Sequence, residues 1–131
     1  MNNKDMNQWT VLIVDDEPDN LGVAQKVLSF NGADVHIARN GLEGLAVLER
    51  LKPTFILLDL SMPEMDGWEM FSKARSIESL NSVPIIALTA HAMAGDRERV
   101  FEAGFDGYIP KPFRIDSFLE EIHNCLNDFN N

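Results

Sequence analysis

The runs TVLIV at 10–14, FILL at 55–58 and IIAL at 85–88 contain almost no polar residue. A strand with one wet face alternates apolar and polar side chains, whereas a strand covered by helices on both faces reads as an unbroken apolar run. These segments therefore predict the interior strands of a parallel sheet. DVHIA at 34–38 alternates and predicts an edge strand, and 107–109 supplies a weaker fifth.

Segments of helical period fill the intervals. Pro18 suits the first turn of a helix that reaches about Phe30 and is stopped by Gly32. Asn40 with Glu43, and Asp66 with Glu69, each match a capping box and predict helices over 41–50 and 67–76. A fourth helix is predicted over 94–103, before Gly104. In IDSFLEEIHNCL, Ile115, Phe118, Leu119, Ile122 and Leu126 share one helical face. Five strand–helix units in 131 residues fall well short of a closed eight-unit barrel and imply an α/β, doubly wound, open parallel sheet with helices on both faces. No linker, repeat or second composition regime divides the chain, so one domain is expected over 9–127, with flexible ends at 1–8 and 128–131.

Charge and cysteine content narrow the function. Eleven Lys and Arg face 21 Asp and Glu, for a net charge of −10, so a nucleic-acid backbone would be repelled and direct binding is not expected. No apolar run approaches the roughly 18 residues of a membrane helix, and MNNKDMNQ lacks the apolar segment of a signal peptide. A cytoplasmic protein without membrane contact is expected. Cys125 is the sole cysteine, which excludes an internal disulfide; without zinc-type neighbours it reads as a small apolar helix residue.

In open parallel sheets, ligands bind beyond the carboxyl ends of the strands. Here those ends carry Asp15 and Asp16 after the first strand, Asp59 after the third, Thr89 after the fourth and Lys111 just after the fifth. A single aspartate in such a place is commonly a helix cap or a turn residue. Three carboxylates gathered on one edge repel one another and call for a cation, and a hard divalent ion such as Mg²⁺ takes oxygen ligands of this kind. Lys111 supplies a second counter-charge. The set reads as a phosphoryl site.

LIVDDEP, ILLDLSMPEMDG, IIALTAHA and GYIPKPF, in that order, are together similar to the receiver domain of two-component response regulators, over nearly the whole chain. The resemblance implies a five-stranded flavodoxin-like sheet in the order 2-1-3-4-5, flanked by five helices, with Asp59 as the phosphoacceptor. It implies that Asp16 binds Mg²⁺ (or Mn²⁺) directly, that Asp15 and Asp59 assist, and that Ser61 offers its backbone carbonyl. Asp59 would take a phosphoryl group from a histidine kinase or histidine phosphotransfer protein, and Lys111 would pair with the phosphoryl oxygens. Thr89 and Tyr108 would then form the switch that alters binding to a downstream protein target. Ser61 and His91 would tune the lifetime of the phosphoryl group. A cis bond before Pro112 would aim Lys111 into the site, and Leu21, Pro112 and Phe113 would meet the phosphodonor. A phosphorylation-dependent homodimer is left open, and with no output domain in view a stand-alone regulator or relay intermediate is expected. Arg114 departs from the family's usual N-capping Asp, Ser or Thr. His36 and His123 have no motif to recommend them.

Such a domain would catalyse at most its own phosphorylation and dephosphorylation, without turning over free metabolites. A haloacid dehalogenase-type phosphatase also places an aspartate after a buried strand, but needs a second acid two residues on, where Ser61 stands. A non-phosphorylated interaction domain would leave the clustered carboxylates as an unexplained electrostatic cost. A flavin-binding module would need a Ser/Thr/Gly-rich phosphate loop where DDEPDN stands.

Overall fold

A computed structural model of the chain describes residues 3–62, 65–89, 96–111 and 113–130. Among the described residues, strands and α-helices alternate: β1 (Thr10–Val14), α1 (Pro18–Phe30), β2 (Asp34–Ala38), α2 (Gly41–Leu48), β3 (Phe55–Asp59), α3 (Gly67–Arg75), β4 (Ile85–Thr89), α4 (Asp96–Ala103), β5 (Gly107–Pro110) and α5 (Ile115–Asn130). The strands form one parallel sheet in the order β2-β1-β3-β4-β5, as expected. Strand order reverses between β1 and β3, and the carboxyl ends flanking that point are where Asp15 and Asp59 stand.

Successive residues of the interior strands enter opposite layers. Leu12, Val14, Ile56, Leu58, Ile85 and Ala87 pack with Met70, Phe71, Val100 and Phe105 from the α2, α3 and α4 side. Val11, Ile13, Phe55, Leu57, Ile86 and Leu88 pack with Ala24, Leu28, Phe118 and Ile122 from α1 and α5. This is the physical reason for the unbroken apolar runs: neither face meets water. The alternation in β2 likewise reflects an edge, with Asp34 exposed and His36 beside it at 3.1 Å.

The helix ends follow local chemistry. Gly32 and Gly104 adopt positive φ, 101° and 109°, where a side chain would be strained, and each stops the helix before it. Asn40 accepts the Glu43 N–H at 2.9 Å, and Asp66 accepts the Glu69 N–H at 2.9 Å. The reciprocal half of the first box differs from expectation: Glu43 reaches one residue further back, to the Arg39 N–H at 2.9 Å. Arg114 caps α5 through its backbone, its carbonyl accepting from Ser117 and Phe118 at 3.1 and 2.9 Å.

Regular structure extends into both flanks of the sheet domain among the described residues. Asn3–Gln8 forms a 3-10 helix whose Met6 is fully buried in the layer under Trp9, and α5 continues through Asn130. A lone methionine in a polar segment carries no period from which its burial can be read. Among the described residues, no helix is long and apolar enough to cross a membrane.

Candidate functional site

Asp15 follows β1 directly, with its backbone N–H bonded to the Ala38 carbonyl at 3.1 Å, so the sheet itself fixes where its side chain starts. Asp59 is the last residue of β3 and pairs in register with Leu88. Asp15 and Asp59 are 0% and 2% exposed, whereas Asp16 is exposed. One carboxylate oxygen from each of Asp15, Asp16 and Asp59 lies within 4.8 Å of the others. The spacing suits a shared cation, and the exposed member leaves a path to solvent.

Lys111, just past β5, brings its ammonium to 3.2 Å from Asp15 Oδ2 and 3.3 Å from Asp59 Oδ2. Its side chain is only 5% exposed. Glu17 Oε1 approaches the same ammonium at 3.8 Å, a neighbour the motifs did not signal. The other oxygens are held by backbone: Asp15 Oδ1 accepts the Glu17 N–H at 3.0 Å, and Asp59 Oδ1 accepts the Ser61 N–H at 3.2 Å. Lys111 is anchored as well, its N–H donating to the Thr89 carbonyl at 2.8 Å.

One buried ammonium does not neutralise this cluster. Burial, joined by the charge of Asp15, pushes the Asp59 carboxyl up to about 7, against the opposing pull of Lys111 and the Ser61 N–H. Burial also works against the Lys111 ammonium, but Asp15 and Asp59 outweigh it and hold its pKa above the ordinary lysine value. Buried oxygens, a charge deficit and an open side together fit a hard divalent cation. In its absence a proton on Asp59 takes part of that role. Apparent Mg²⁺ affinity should therefore rise by up to about tenfold per pH unit below about 7 and level off above. Isothermal titration calorimetry across a pH series checks this; a flat affinity between about pH 6 and 8 contradicts it.

Thr89 ends β4 and is 6% exposed. Tyr108 lies one strand over, partly buried against the α2–α4 layer; burial first, then Asp96, raises its pKa despite Arg97. Ser61 lines two adjoining cavities of about 370 and 450 Å³. The first is shared with Thr89, Trp68 and Arg99, the second with Asp16, Asp66 and Trp68. Arg99 stacks over the Trp68 ring at 5.4 Å, a bridge from α4 to α3 that no sequence spacing announces. His91 and Pro112 lie outside the described residues. His123 packs against Trp9 in the opposite layer, 5.2 Å between ring centres, far from this edge.

Comparison with known proteins agrees with the geometry. The response regulator receiver domain family matches residues 11–123. The polar-differentiation response regulator DivK of Brucella anthropi is 35% identical over 119 residues, covering 91% of this chain and 97% of that one. Among solved structures, chemotaxis response regulator CheY4 of Vibrio cholerae superposes with a TM-score of 0.84 at 26% identity, over 89% of this chain and 98% of that chain. The receiver domain of sensor histidine kinase PA1611 from Pseudomonas aeruginosa PAO1, with a magnesium ion coordinated in its active-site cleft, gives 0.80 at 32% identity, over 94% and 98%. An acidic cluster at the carboxyl edge of a 2-1-3-4-5 sheet, within a chain that the family matches over residues 11–123, makes this protein a member of the response regulator receiver domain family.

Proposed function

We propose that Asp59 is the phosphoacceptor, served by Asp15, Asp16, Lys111 and Thr89. The observation that carries this reading is the convergence of two buried carboxylates, one exposed carboxylate and a buried ammonium on the sheet's carboxyl edge. A carboxylate oxygen of Asp59 attacks the phosphorus of a phosphohistidine on a histidine kinase or phosphotransfer protein. The new P–O bond forms an acyl phosphate as the P–N bond breaks, and the imidazole leaves with a proton from solvent. Asp15, Asp16, Asp59 and the Ser61 carbonyl would hold Mg²⁺, which when bound would offset the negative charge of the carboxylate and phosphoryl oxygens. Lys111 meets the same oxygens as a point charge.

The phosphoryl group adds about two negative charges and three acceptors beside Thr89. Thr89 turns toward it, Tyr108 follows, and the altered surface binds a downstream protein target. Ser61 borders the site, and Ser61 and His91 set how fast the phosphoryl group is lost. The protein works in the cytoplasm, and its catalysis is confined to its own phosphorylation and dephosphorylation.

Incubation with acetyl phosphate, with and without Mg²⁺, followed by intact mass and peptide mapping, tests the assignment. A single metal-dependent phosphoryl adduct on the peptide containing Asp59 is expected. No such adduct, or one elsewhere, overturns the reading, and sustained release of phosphate from simple phosphomonoesters would favour a phosphatase instead.

A further inference from the structure

The first turn of α3 lies unusually close to the end of β3. A Cβ built on Gly67 would overlap the Asp59 carbonyl oxygen and lie 2.7 Å from Leu60 Cα and 2.9 Å from the Asp59 carbonyl carbon. All three are backbone atoms, so no side chain can swing away to make room. The Gly67 N–H meanwhile donates to the Leu60 carbonyl at 3.2 Å, and Leu60 donates in turn to the Leu88 carbonyl at 3.1 Å. Asp66, capping the same helix, fixes the turn from its other side. The segment Asp59–Leu60 is thus held between β4 and the start of α3.

We propose that Gly67 is a positioning residue for the acceptor: its lack of a side chain seats α3 against the Asp59 backbone and so sets where the Asp59 carboxylate stands relative to Ser61, Asp16 and Lys111. The inference rests on the reading of Asp59 as acceptor and of the acidic cluster as a divalent-ion site. The requirement is one of space. At an exposed helical position, Gly→Ala usually stabilises the fold. Here the added methyl must displace either α3 or the strand end, and the Asp59 Oδ1 to Ser61 N–H contact, 3.2 Å, spans the residues that move. A shift of about 1 Å at a reacting group can cost on the order of 100-fold in rate.

Gly67→Ala is compared with Gly107→Ala, whose Cβ would also be crowded, 2.6 Å from Cys125 Sγ and 2.8 Å from its Cβ, but by side-chain atoms at the start of β5. The wild-type protein must first show Mg²⁺ binding and a Mg²⁺-dependent adduct from acetyl phosphate; if it does not, the acceptor reading itself fails. Given that, Gly67→Ala should weaken Mg²⁺ binding and slow adduct formation by roughly 10-fold or more, and speed Leu60 amide exchange in metal-free protein. Gly107→Ala should lower the melting temperature while leaving Mg²⁺ affinity within about twofold. Wild-type Mg²⁺ affinity and adduct rate in folded Gly67→Ala overturn the proposal.

If Gly67→Ala does not fold, a second pair decides. Asp66→Ala and Asp66→Asn both remove the charge, but only Asn retains the cap. Weaker Mg²⁺ binding in Asp66→Ala than in Asp66→Asn, by about threefold or more, supports positioning through the start of α3. Equal affinities overturn it.

Discussion

Asp59→Asn is expected to abolish the phosphoryl adduct while making the metal-free protein less sensitive to alkaline pH. Asparagine keeps the shape of the side chain and one oxygen for the Ser61 N–H, but it has no anionic oxygen with which to attack phosphorus. Its effect on stability follows from linkage. The folded-state pKa of Asp59 is about 7, above the ordinary value of 3.8, so between these values the folded state binds more protons than the unfolded one. Stability from this group is complete below the lower value and is lost as pH rises through about 7. From about pH 5.5 to 8.5 the loss in wild type is on the order of 2 kcal/mol, or several degrees of melting temperature. Melts in EDTA should show wild type falling over that interval and Asp59→Asn falling by clearly less. Parallel curves would contradict the charge balance described for the site, and saturating Mg²⁺ should restore the wild-type protein more at the alkaline end.

Arg75→Ala should lower stability substantially at a place away from the site. At the end of α3, one guanidinium nitrogen lies 2.6 Å from Asp106 Oδ2, and the group also donates to the carbonyls of Leu80 and Val83 at 2.9 and 3.0 Å. Asp106 Oδ2 in turn accepts the Ile85 N–H at 2.9 Å, at the entry to β4. One side chain thus joins α3 to the segments leading into β4 and β5, and it covers the Phe71 ring at 5.5 Å. Removing it leaves a part-buried carboxylate with the Ile85 N–H as its remaining partner and takes a donor from the Val83 carbonyl, while the Leu80 carbonyl keeps the Val83 N–H, a loss of about 3 kcal/mol. Thermal unfolding should fall by roughly 10 °C or more. Lysine should restore only part of this, because it cannot present a planar fork. The cluster sits at the amino edge of the sheet, opposite Asp59, so Mg²⁺ affinity of the folded variant should be unchanged. A stable variant, or one with impaired metal binding, would contradict this account.

These two sites differ in how well the sequence announces them. Asp15, Asp16, Asp59, Thr89 and Lys111 each sit at or just after an apolar run, so the rule for strand ends gathers them once the sheet is inferred. Family resemblance then supplies the roles. The contacts that hold those residues are less visible. Glu17 beside Lys111 belongs to a turn whose direction no pattern encodes, and Arg75 and Asp106 are 31 positions apart with no shared motif. Gly67 was legible only as the residue after a helix cap; the demand for empty space arises where α3 returns to β3, a tertiary fact. The buried Met6 was hidden for the same reason.

The chain's two tryptophans fall in opposite layers. Trp9 is buried with Phe55 and His123 on the α1–α5 side, while Trp68 stands at the cavities shared with Asp16, Ser61 and Thr89, its ring beneath Arg99. The sheet therefore separates two fluorophores of different duty. Emission from Trp68 can follow events at the carboxyl edge in real time, while Trp9, buried on the other side of the sheet, serves as an internal reference for them.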